Sequence, residues 1–87
     1  MSKQLPKWFE GAPYSNGAVV RNPYSGEQYE LNAVEFSIYE HIKQLEYRIA
    51  LNGGAFNPKT AKLQSKMAKC LGWFRNNNAE AYMVLLD

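Results

Sequence analysis

The chain has 87 residues, of which 46% are hydrophobic and 21% are charged, and its formal net charge at neutral pH is +2. This length allows one small domain and excludes folds that need about 200 residues or more, such as α/β barrels. The apolar and aromatic content is too high for a disordered chain. We therefore expect a single α+β domain with a packed core.

The cysteine and histidine content limits the metal and covalent chemistry of the chain. One cysteine and one histidine exclude an internal disulfide and a structural zinc site of the usual Cys/His composition. The first ten residues carry charges and a proline where a signal peptide would be apolar, and no stretch reaches the length of a membrane span. We expect a cytoplasmic protein that binds no metal or cofactor and enters no membrane.

Residues 1–16 are predicted to form an extended arm, because prolines and glycine interrupt regular secondary structure there. Three aromatic side chains of this segment, Trp8, Phe9 and Tyr14, are too apolar to remain in water. We expect them to lie against the body of the domain.

Residues 17–31 are predicted to form a β-hairpin. The run 18–21 is rich in β-branched residues, and 27–31 alternates polar with apolar side chains. Between them, Asn22 opens a turn, Pro23 sets φ at the next position, and Gly26 accepts the positive φ that rejoins the strands.

The remaining segment, 32–87, is predicted to be helical, and its first helix covers residues 32–52. Asn32 and Glu35 have the spacing of a capping box, and Gly53 and Gly54 can end the helix with positive φ. An apolar stripe of about 80° faces the core. Its members are Val34, Ile38, Ile42, Leu45 and Ile49.

A second helix is predicted over residues 58–76, because Asn57 can cap it and Pro58 suits its first position. Its apolar stripe comprises Leu63, Met67, Cys70, Leu71 and Phe74. Asn77 and Glu80 repeat the capping pattern and predict a short terminal helix.

No pattern in the sequence predicts catalysis. Cys70 falls on an apolar stripe, where burial makes a thiol inert. His41 lies at the edge of the other stripe, without a nucleophile beside it. The acidic residues lack metal-ligand spacing, and no glycine-rich phosphate loop is present. We expect a protein that is not an enzyme.

A basic stripe follows one side of the second helix, since residues 57–78 contain five Lys or Arg and no Asp or Glu. At about 100° per residue, four lysines and a tryptophan share that side: Lys59, Lys62, Lys66, Lys69 and Trp73. Such a row can bind a nucleic-acid backbone and stack a base. The alternative is a solvated face, with Trp73 packed against the arm or a neighbouring helix.

An aromatic face is predicted on the first helix, opposite its core stripe. It contains Phe36, Tyr39, Lys43 and Tyr47. A face exposed only to solvent would not usually carry three aromatic residues. Either the arm covers this face, or it is an interface with a second subunit or another protein.

Three stretches of the sequence are distinctive: residues 5–11, residues 22–32 across the hairpin turn, and residues 72–87 at the close. They cover a little under half of the chain and resemble a small uncharacterised protein of marine T4-like bacteriophages, chiefly those that infect cyanobacteria. The resemblance implies an accessory or structural phage protein acting in an infected bacterial cell. It implies no activity and no site residues.

These patterns favour a non-enzymatic module for protein–protein interaction or homo-oligomerisation. Its expected partner is a second copy of the chain, or a host or phage protein. The alternative is a nucleic-acid-binding protein that uses the basic stripe. A minor virion component is a third hypothesis, which the sequence does not separate from the first.

Overall fold

The computed structural model describes residues 5–86. Its elements in chain order are strands β1 (Ala18–Arg21) and β2 (Gln28–Leu31), helix α1 (Ala33–Leu51), a 3-10 turn (Pro58–Thr60), and helices α2 (Ala61–Asn77) and α3 (Ala79–Leu85). The predicted α+β fold, a hairpin packed with two long helices and a short one, is confirmed.

The hairpin turn forms as its sequence predicts, and it also contacts the end of the chain. β1 pairs antiparallel with β2 along its whole length. Asn22 Oδ1 accepts from the backbone N–H of Tyr24 at 2.8 Å, and Gly26 has a φ of 79°. Asn22 Nδ2 donates to the carbonyl of Val84 at 2.9 Å, so the turn is held against α3.

The predicted cap of the first long helix is confirmed, whereas the residue predicted to cap the second helix caps a 3-10 turn before it. Asn32 Oδ1 accepts from Glu35 N at 2.8 Å, and Glu35 Oε1 accepts from Asn32 N at 3.0 Å. Gly53 and Gly54 both have positive φ after the end of α1. Asn57 caps the residues that follow it, but the first turn there is a 3-10 turn and α2 starts at residue 61.

The predicted cap of the short helix is wrong by one position. α2 continues to Asn77, and Asn78 caps α3 by accepting from Ala81 N at 3.1 Å. Asn78 also donates to Glu35 at 3.0 Å. The hydrogen bond from Asn78 to Glu35, which joins α3 to α1, therefore distinguishes Asn78 from Asn77 as the cap. The spacing of residues along the chain does not make this distinction.

The core lies where α1, α2, α3 and β2 meet. Its buried apolar residues are Leu31, Ile38, Tyr39, Ile42, Leu45, Ile49, Cys70, Phe74, Ala81 and Leu85. The stripe predicted for α1 is buried except for Val34, which is half-buried. In α2 only Cys70 and Phe74 are buried, while the other three members of its stripe pack half-buried against the core.

The described part of the arm, residues 5–16, lies against α1, and residues 1–4 fall outside the described residues. Tyr14 N donates to Ser37 Oγ at 2.8 Å, and the Tyr14 and Phe36 ring centroids are 4.7 Å apart. The Phe9 ring packs edge-on against His41 at 5.2 Å. Residues 7 and 8 lie in a turn, so this part of the arm is not uniformly extended.

Candidate functional site

Cys70 and His41 lie close to the core, and burial shifts the pKa of each side chain. Cys70 is 1% exposed, and burial raises the pKa of its thiol to about 11. His41 Nδ1 is buried and has no hydrogen-bond partner among the described residues. Burial, followed by the positive charge of Arg48, lowers the pKa of His41. Both side chains line one depression together with Glu10, but Cys70 is almost fully buried there and its raised pKa disfavours the thiolate.

The structure does not place the four residues of the predicted aromatic face on one exposed surface. Tyr39 is buried, Phe36 is half-buried beneath Tyr14, and Tyr47 is 66% exposed. Lys43 lies over the Tyr39 ring at 5.6 Å. The prediction of a continuous exposed face is therefore wrong. Buried residues cover more than half of the circumference of α1, and Tyr39 is one of them.

A groove runs between α1, α2, α3 and the hairpin turn, and we call it the apolar groove. Its floor is formed by core residues and by half-buried apolar side chains of α2 and α3. These floor residues are Tyr39, Ile42, Ile49, Met67, Leu71, Tyr82, Leu85 and Leu86. Arg21, Lys43 and Glu46 line it as well, and Tyr24 lies at its hairpin end with 96% of its surface exposed.

The residues of the predicted basic stripe follow one side of α2, and Lys59 lies in the 3-10 turn before it. Lys59, Lys62 and Lys69 are exposed. Lys66 Nζ lies 2.9 Å from Glu10 Oε1 of the arm. Trp73 is half-buried, with its ring centroid 6.0 Å from that of Phe74.

The arm adds three residues, Lys7, Trp8 and Glu10, to this side of α2 that the helical pattern did not include. Trp8 and Lys69 line two adjoining depressions. The first also contains Lys7, Glu10 and Lys66, and the second contains Trp73. We call the two depressions together the tryptophan cleft. It combines two indole rings with three lysines and one glutamate, and it also includes His41 of α1 and Cys70 of α2.

The groove was not predicted from the sequence, and of the cleft only the α2 residues Lys66, Lys69 and Trp73 were predicted to share one side. Met67 and Leu71 were expected in the core, but the structure leaves both half-buried at the groove. Trp8 was expected to lie, with the rest of the arm, against the body of the domain or over the aromatic face of α1, but it lines a depression with Lys69 and Trp73 of α2. Helical periodicity relates residues within one helix only, whereas the groove and the cleft each combine residues from three or more segments of the chain.

No helix within residues 5–86 has the combination of length and apolar character that crossing a membrane requires. In the same part of the chain, no three His, Cys, Asp or Glu side chains are grouped in a way that could hold a metal ion.

Comparison with known proteins gives no match. No family model, no curated protein and no solved structure is significantly similar to this chain. The resemblance to phage proteins remains a prediction from the sequence.

Proposed function

We propose that the protein is a self-association module in which two copies pair through the apolar groove. The observation that carries this proposal is the groove itself. It opens several half-buried apolar side chains of α2 and α3 to solvent on a domain of only 87 residues. Small domains gain stability from oligomerisation, because their own cores bury little surface.

The shape of the hairpin end suits a reciprocal contact. Tyr24 extends from the turn with 96% of its surface exposed, although the groove begins beside it. In a two-fold pair, each copy presents the same surface to the other, so each Tyr24 can enter the partner's groove. Tyrosine at an interface buries a large apolar ring and keeps its hydroxyl available for a hydrogen bond.

Two of the three charged residues that line the groove, Lys43 and Glu46, can pair between copies. Lys43 Nζ and Glu46 Oε1 are 3.8 Å apart, and their side chains are 37% and 58% exposed. This loose pair costs little to exchange, so Lys43 of one copy can pair with Glu46 of the other. Two copies related by a two-fold axis can thereby place each Lys43 opposite a Glu46, while Arg21 is exposed and keeps its charge in solvent.

Sedimentation velocity of the full-length protein and of Tyr24→Glu tests the proposal. The wild-type protein should sediment as a dimer at high micromolar concentration and dissociate on dilution. Tyr24→Glu should be monomeric, because it places a carboxylate in an apolar contact. Its melting temperature should remain that of the wild-type monomer, since Tyr24 is exposed in the single chain.

Tyr47→Glu is the matched control. Tyr47 is 66% exposed and belongs to the face predicted from the sequence, but it does not line the groove. The variant should remain dimeric. A wild-type protein that is monomeric at every concentration overturns the proposal, as does dissociation by Tyr47→Glu with no effect of Tyr24→Glu.

A further inference from the structure

The tryptophan cleft lies on a different side of α2 from the apolar groove. At about 100° per residue, Leu71 of the groove is about 180° from Lys62 around the helix axis, whereas Lys69 and Trp73 are within about 20° of Lys62. Ala68 lines both features, but a dimer that packs on Met67 and Leu71 leaves Lys69 and Trp73 uncovered. We propose that the cleft binds single-stranded nucleic acid, with bases on its indole rings and the backbone along its lysines.

The aromatic part of this site comes from two distant segments. Trp8 lies in the arm and Trp73 in the last turns of α2, yet both line the same shallow depression. Trp8 is 36% exposed and Trp73 is half-buried, so each ring presents part of its surface to a ligand. An unstacked base has an apolar face that binds such rings, and this contact is sequence-tolerant.

The basic part extends from the same depression along α2. Lys69 lines both depressions, Lys7 and Lys66 line the first, and Lys62 is exposed one turn before Lys66. Lysines spaced along a helix can each neutralise one phosphate of a flexible strand. A rigid duplex hides its bases from the indole rings, so a single strand is the better fit.

Glu10 provides an internal test of the electrostatics. Its carboxylate lies 2.9 Å from Lys66 Nζ at the edge of the cleft. The hydrogen bond and charge of Lys66 lower the pKa of Glu10, so this acid is ionised at neutral pH. A bound phosphate must compete with it for Lys66. Glu10→Gln removes the competitor and should tighten binding.

Tryptophan fluorescence gives a direct measurement, because the two tryptophans of the chain are both in the cleft. The probe is a thymidine oligonucleotide of about 12 nucleotides, with the RNA and duplex of equal length as comparisons. We expect saturable quenching with both single strands and weaker binding of the duplex. Between about 50 mM and 200 mM salt, about three phosphate contacts should give a log–log slope near −2.

Four variants separate the effects of stacking and of charge from those of folding. Trp8→Ala should weaken binding about ten-fold, whereas Trp8→Phe, which keeps a stacking ring, should retain most of it. Lys69→Gln should reduce the salt slope by about one phosphate contact. Arg75→Gln removes the same charge at an exposed position of α2 that lines neither the cleft nor the groove, and it should bind as the wild type does.

Removal of the negative charge of Glu10 should change the affinity for the oligonucleotide in the opposite direction. Glu10→Gln should bind more tightly than the wild-type protein, and Glu30→Gln, an exposed glutamate in β2, should not. Absence of quenching at about 50 mM salt, where phosphate contacts are strong, overturns the inference. Equal competition by polyglutamate also overturns it, because the cleft would then recognise an acidic protein. The monomeric Tyr24→Glu variant should still bind the oligonucleotide. A result against dimerisation can therefore be distinguished from a result against nucleic-acid binding at the cleft.

Discussion

Asn78 Nδ2 donates a hydrogen bond to Glu35 Oε2 at 3.0 Å, and this bond joins the N-termini of α3 and α1. Each partner also caps its own helix. Asn78 Oδ1 accepts from Ala81 N, and Glu35 Oε1 accepts from Asn32 N. Glu35 is only 6% exposed, so water cannot readily replace a lost partner.

Asn78→Asp should lower the free energy of unfolding by about 2 kcal/mol or more, although aspartate is as good an N-cap as asparagine. The substitution keeps the cap of α3, removes the donor to Glu35 and places a second carboxylate beside it. Urea denaturation measures the loss. Asn16→Asp, the same change at an exposed position of the arm, should cost little, and equal stabilities of the two variants would contradict the assigned bond.

Two residues of the predicted core stripes should differ in their contribution to stability. Ile42 is fully buried, so Ile42→Ala should cost about 2–5 kcal/mol through lost burial and the cavity left behind. Leu71 is half-buried at the apolar groove, and Leu71→Ala should cost less. Thermal or urea unfolding of the monomeric Tyr24→Glu background compares them without the effect of dimerisation. Equal losses would contradict the position of the groove.

Glycine-to-alanine substitutions test how closely the arm is seated on α1. A Cβ at Gly11 would lie 2.7 Å from the Phe9 ring and 2.8 Å from His41 Nδ1, so Gly11→Ala must displace the arm. A Cβ at Gly72 meets no atom within 4 Å, and Gly72 lies inside α2. Gly72→Ala should therefore stabilise the protein by about 0.5–1 kcal/mol, whereas Gly11→Ala should lower its melting temperature. A more stable Gly11→Ala variant would show that the arm is not packed there.

Stability should fall as the pH decreases below about 6.5, because folding disfavours the charged form of His41. Burial lowers the pKa of His41 from its usual value of 6.5 in the folded protein. The unfolded chain therefore takes up a proton in a range where the folded chain does not, and proton uptake favours unfolding. Urea unfolding between about pH 5.5 and 7.5 measures the effect. His41→Gln should remove this pH dependence, and a variant that keeps it would exclude His41 as the source.

Cys70 should react slowly with a thiol reagent in the native protein and rapidly in urea. It is buried, and burial raises its thiol pKa to about 11, so both access and thiolate formation are suppressed. The rate of native labelling should follow the opening of the structure. Ile42→Ala should accelerate it, and native labelling as fast as that in urea would contradict the core position of Cys70.

Local features were predictable from the sequence because each depends on residues a few positions apart. The Asn22–Gly26 turn, the capping box of Asn32 and Glu35, and the burial of Ile38, Ile42, Leu45 and Ile49 belong to this class. In each case, backbone hydrogen bonding or a helical period relates neighbouring residues directly. The α+β fold follows from the order of these elements.

Features that join separate segments were decided by the tertiary structure. A helical period assumes one buried side, but α1 is covered on several sides, and this places Tyr39 in the core. The position of Trp8 beside Trp73 depends on how the arm crosses the helices, and the choice of Asn78 as a cap depends on Glu35. Such contacts arise from the relative placement of elements distant in the chain, which no spacing within one element encodes.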